Sequence, residues 1–108
     1  MLFRSLSRDV SCEVFPSAAI TIGRKGEVLT SMAELVALGV RIFTDDGSGV
    51  QDIKLMRRAF EYARTFDLLV SQHCEDHDMT EGAQMHEGSV STRLGLRGWP
   101  REIGRAHV

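Results

Sequence analysis

The stretch Val40-Arg41-Ile42-Phe43-Thr44-Asp45-Asp46-Gly47-Ser48-Gly49 decides how the chain folds. Its first half is rich in β-branched and aromatic side chains and reads as a strand; the Asp-Asp-Gly-Ser-Gly run then breaks it sharply. Beyond the break, Leu55, Met56, Ala59, Phe60, Ala63 and Phe66 recur at helical spacing and predict a helix with one broad apolar face. Leu68-Leu69-Val70-Ser71-Gln72 reads as the next strand. From one strand to the other takes about thirty residues, the length of a βαβ unit.

The same pattern repeats upstream. Glu13 to Thr21 reads as a strand, although Pro16 lacks an N–H and suits only a bulge or a strand end. Gly23-Arg24-Lys25-Gly26 is a loop. From Glu27, the apolar positions Val28, Leu29, Met32, Leu35 and Val36 predict an amphipathic helix, with Gly39 placed to end it. Two successive units predict an α/β fold of about three parallel strands with intervening helices. Cys74 to Gly88 is polar and reads as a long loop, and Ser89 to Leu96 as a short helix.

Composition narrows the function classes. With 108 residues there is room for one small domain, and 43% hydrophobic against 26% charged residues is the balance of a globular chain. A net charge of −2 leaves no basic excess for phosphates, so nucleic acid is not an expected partner. No apolar run approaches the ~20 residues that cross a bilayer, so no membrane role is expected. No secretory leader is legible, and the 2 cysteines, Cys12 and Cys74, make no disulfide framework. The expected compartment is cytoplasmic.

Ligands of parallel α/β sheets collect beyond the C-terminal ends of the strands. Asp45 and Asp46 follow one strand there, and His73, Glu75, Asp76 and His77 follow the next. Neighbouring strands lie about 4.8 Å apart, so an Asp after one and a His after the other can reach a common ion. Carboxylate oxygen and imidazole nitrogen are ordinary zinc ligands. Plainer readings stand beside this one. Asp-Asp-Gly is a common turn composition whose carboxylates cap or are solvated. A histidine ending an apolar strand is often a hydrogen-bonded core residue. Cys74 reads as packing rather than a thiolate ligand, and His77, His86 and Glu87 as loop residues without a role. Met32, Leu35, Leu55, Met56 and Phe60 read as core.

Several segments together resemble the bacterial dihydroorotases. They are Phe15-Pro16-Ser17-Ala18-Ala19-Ile20-Thr21, Phe43-Thr44-Asp45-Asp46-Gly47, Met56 to Ala63, Gln72-His73-Cys74-Glu75-Asp76, His86-Glu87-Gly88 and Arg93 to Pro100. The resemblance runs from Asp9 to Arg101 and implies an internal fragment of a (β/α)8 barrel, about three strands of it. It implies a zinc amidohydrolase that interconverts N-carbamoyl-L-aspartate and L-dihydroorotate in pyrimidine synthesis, with Asp46 and His73 as metal ligands. An Asp at position 46, where related amidohydrolases carry a carboxylated lysine, favours the dihydroorotase branch over other cyclic-amide hydrolases. The family's His-x-His pair, its later His and Asp, and the Arg and Asn that hold the substrate carboxylate have no counterpart here, so the fragment alone is expected to be inactive.

The alternative is a fragment of a non-catalytic homologue acting as scaffold for aspartate carbamoyltransferase. The parent's expected partners are that enzyme or copies of itself. Residues 1–5 and 102–108 do not fit the family and resemble translated adapter DNA, so non-native ends are expected there.

Overall fold

The computed structural model describes residues 10–107, which divide after Gln72 into two compact units. In the first unit, strands β1 (Ser17–Ala18), β2 (Ile42–Phe43) and β3 (Leu69–Val70) form a parallel sheet in the order β1-β2-β3. Ser17 pairs with Ile42 and Ala18 with Phe43; Ile42 pairs with Leu69 and Phe43 with Val70. Helices α1 (Met32–Ala37) and α2 (Ile53–Thr65) make the two crossovers. The order of elements is the one expected, and the strands are shorter than the apolar runs that carry them.

The core of this unit joins Phe43 of the central strand to Ile20, Met32, Val40, Val50, Met56, Ala59 and Ala63, all buried. Burying a side chain such as Phe43 contributes roughly 1.5–3 kcal/mol. The outward face of α2 is wider than the sequence suggested. Met56, Ala59 and Ala63 are buried, whereas Phe60 and Phe66 are exposed and Leu55 is half-buried. Phe66 instead stacks at a tilt on Tyr62, with ring centroids 5.7 Å apart. The Tyr62 hydroxyl accepts the Ala33 N–H at 3.3 Å, so it serves one of the amides that the first turn of α1 leaves without a helical partner. At the start of α2, the Asp52 carboxylate accepts the Lys54 and Leu55 amides at 2.8 and 3.1 Å.

The helix expected from Glu27 begins only at Met32. Residues 20–30 make a tight excursion first. Thr21 bridges Leu29 in antiparallel fashion, the Ile22 amide donates to Val28 at 2.8 Å and the Thr30 amide to Ile20 at 2.9 Å. The backbone of Val28 and Leu29 is committed to this pairing, so their helical spacing has no helix to serve. Gly39 ends α1 as expected: its φ of +101° suits only a residue without Cβ.

The second unit also departs from expectation. Residues within the supposed Cys74–Gly88 loop form helix α3 (His77–Thr80) and strand β4 (Met85–His86). Helix α4 (Ser89–Leu94) crosses over to β5 (Gly98–Trp99), which pairs parallel with β4, Met85 to Gly98 and His86 to Trp99. A 3-10 helix, Arg101–His107, follows. Two-residue strands show no alternation, which is why the polar sequence hid them. Gly98 is required by the pairing, because a Cβ there would lie 2.3 Å from the Glu87 Cα. Of the ends expected to be non-native, residues 1–5 and Val108 lie outside the described residues; the amide of Asp76 donates to Ile103 at 3.0 Å.

Candidate metal centre

Successive side chains leaving a strand point to opposite sides, and the two aspartates after β2 divide accordingly. Asp45 is completely buried. Its Oδ1 accepts the amides of Ile20 at 2.8 Å and Thr21 at 3.1 Å, and its Oδ2 accepts the Thr21 hydroxyl. A buried carboxylate needs such donors, and these tie the end of β2 to the segment that follows β1. Its carbonyl closes the turn by accepting the amides of Ser48 and Gly49 at 2.9 and 2.8 Å.

Asp46 is exposed, and its carboxylate takes no hydrogen bond from a described residue. Its backbone carbonyl accepts a guanidinium N–H of Arg24 at 2.9 Å. The far side of the same loop is held by Gln72. Its Nε2 donates to the Val50 carbonyl at 3.1 Å and its Oε1 accepts the Val50 amide at 3.3 Å.

His73 opens the second unit. Its Nε2 lies 3.0 Å from Glu75 Oε2, with both side chains partly exposed. That hydrogen bond, with a smaller contribution from the Thr80 hydroxyl, holds the Glu75 carboxyl below the usual range. Asp76 is structural: its Oδ1 caps α3 by accepting the Met79 amide at 3.0 Å. His77 and Cys74 are exposed, so Cys74 is not the packed residue expected.

Among the described residues, no three His, Cys, Asp or Glu side chains gather as a metal site. The donor chemistry of Asp46 and His73 nevertheless fits a cation. Asp46 offers an exposed carboxylate. His73 turns Nε2 to a carboxylate, the arrangement that orients metal-ligating imidazoles, and Nδ1 is its second donor atom. In sequence, Asp46 follows Phe43 by three residues, and His73 follows Val70, the sheet partner of Phe43, by three.

A family model described as dihydro-orotase-like matches residues 2–108. The chain belongs to the dihydroorotase-like family. It is 47% identical over 91 residues to the dihydroorotase of Streptomyces coelicolor, covering 82% of this chain and 21% of that protein. It is 45% identical over 95 residues to that of Bacillus caldolyticus, covering 88% of this chain and 22% of the relative. The dihydroorotase of Leifsonia xyli is 49% identical over 92 residues, 81% of this chain and 20% of its own length. The chain thus spans about a fifth of the dihydroorotases it matches, and its parallel α/β architecture is that of a fragment.

Sequence reasoning gave no role to Thr21, Arg24 or Gln72 and left Asp45 between a capped and a solvated state. For Asp45 a signal existed. Two acidic residues in tandem after a buried strand send one inward, and an inward carboxylate must find donors. Thr21, Arg24 and Gln72 act through contacts more than twenty positions away, which no local pattern reports.

Proposed function

We propose that this chain is the part of a zinc-dependent dihydroorotase that supplies Asp46 and His73 to the metal centre. Its parent interconverts N-carbamoyl-L-aspartate and L-dihydroorotate. The observation that supports this reading is one of spacing: an exposed carboxylate follows Phe43 by three residues, and a histidine follows its sheet partner Val70 by three in sequence. Family membership supplies the chemistry to which that placement belongs.

Asp46 and His73 would hold the zinc ion, which would supply a bound water with its pKa lowered to ~7 and a Lewis acid for the amide carbonyl. The chain's own residues do the holding. Asp46 brings negative charge to the cation, and Asp45 fixes the turn beneath it. Glu75 fixes the ring of His73 through Nε2 and adds to its basicity. Gln72 steadies the loop after Asp46 from the end of the neighbouring strand.

The test uses the full-length protein that carries this segment. Asp46→Ala and His73→Ala should each lower zinc content, measured by elemental analysis, and abolish dihydroorotate hydrolysis. Turnover that survives Asp46→Ala with full metal content overturns the assignment.

A further inference from the structure

Arg24 stands in a costly conformation. Its φ is +57°, in the left-handed region, immediately after Gly23 at +62°. An L-residue there carries a penalty of roughly 1–2 kcal/mol that glycine escapes. Yet the Arg24 side chain is exposed and, among the described residues, makes one hydrogen bond in return, to the carbonyl of Asp46. An exposed bond of this kind stabilises a fold by only about 0.5–1.5 kcal/mol, so Arg24 gives little or no net stability.

What the bond does is geometric. The Arg24 amide donates to the Thr21 carbonyl at 3.0 Å, and the Gly26 amide to the Thr21 hydroxyl oxygen at 2.9 Å. Thr21 in turn gives its amide and hydroxyl to the buried Asp45 carboxylate. The path therefore leaves the chain at Asp45, passes through Thr21 to Arg24 and returns at the next residue, Asp46. The guanidinium is an exposed arm mounted on a buried anchor, and its target is the peptide group that orients the Asp46 side chain.

We infer that Arg24 is a positioning residue for Asp46: it fixes the backbone of the Asp45–Asp46 turn so that the Asp46 carboxylate is presented to the metal. This rests on the reading of Asp46 as a ligand. It differs from a structural role in the sign of its effects, because removing a left-handed side chain relieves the backbone while releasing the ligand.

The experiment uses the full-length protein carrying this segment, stripped of metal. Zinc affinity is measured by competition with a chromophoric chelator, and the Tm of the apoprotein by calorimetry. Arg24→Gly should leave the Tm equal or raise it and weaken zinc binding about tenfold or more. Arg24→Lys, which keeps a donor but loses the planar fork, should recover part of that affinity. Arg24→Gly with unchanged zinc affinity overturns the inference, as does a joint fall of Tm and affinity. Asp46→Asn separates the two ideas. Zinc lost in Asp46→Asn but kept in Arg24→Gly removes the role of Arg24 alone; zinc kept in Asp46→Asn removes the ligand reading and this inference with it.

Discussion

Asp45 and Thr21, on successive strand ends of the parallel sheet, are joined twice: the Asp45 carboxylate accepts both the amide and the hydroxyl of Thr21. Both residues are completely buried. The Asp-Asp-Gly motif therefore contains a fastening next to its proposed ligand, and the two can be separated by substitution.

Asp45→Asn keeps the volume and an acceptor for the Ile20 and Thr21 amides, but removes the charge and puts a donor where Oδ2 accepts the Thr21 hydroxyl. It should destabilise the full-length protein by about 2–4 kcal/mol, read as a lowered midpoint in urea. Asp46→Asn, on the exposed neighbour, should change the midpoint of the metal-free protein by no more than about 0.5 kcal/mol. Equal losses for both variants would contradict the division of labour.

Gln72 imitates a peptide group, giving and taking one hydrogen bond with Val50. Gln72→Ala should leave the Val50 amide without that acceptor and speed its hydrogen exchange, with a cost of about 1–2 kcal/mol. Gln72→Glu keeps the acceptor and should protect the amide better than alanine does. Exchange at Val50 that ignores both changes would show that the clamp is idle.

Gly98→Ala places a methyl group 2.3 Å from the Glu87 Cα, which is backbone and cannot swing aside. The β4–β5 pairing should open, and the amide of Glu87, which donates to Trp99 at 3.0 Å, should lose its exchange protection. Intact protection at Glu87 in that variant would refute the steric argument.

The 108-residue chain by itself should self-associate. In the described residues, β1 and β3 each pair on one side only, and Phe15, Ile53 and Leu69 are 76%, 69% and 61% exposed. Unpaired strand edges beside apolar side chains template association. Light scattering after size exclusion should show mass rising with concentration; a monodisperse monomer with a sharp, concentration-independent thermal transition would show otherwise.

The sheet order was legible because its three strands are apolar runs separated by helices at βαβ spacing. That Asp45 and Asp46 lie just beyond a strand was legible for the same reason, since the strand ends abruptly. Two things were hidden. Val28 and Leu29 have helical spacing but are paired with the Thr21–Ile22 backbone, a tertiary commitment that overrides periodicity. Met85–His86 and Gly98–Trp99 are too short to alternate, and a polar sequence with two-residue strands looks the same as a loop.

The tandem aspartates carry one further implication. Because both letters are the same, an insertion or deletion of a single residue within Val40 to Thr44 could leave the spelling of the motif intact while exchanging the two occupations. The carboxylate meant for the interior would then face water, and the one meant for water would be driven inside. Spelling alone is thus no guarantee of competence in this family; the phase of the preceding strand must be read with it.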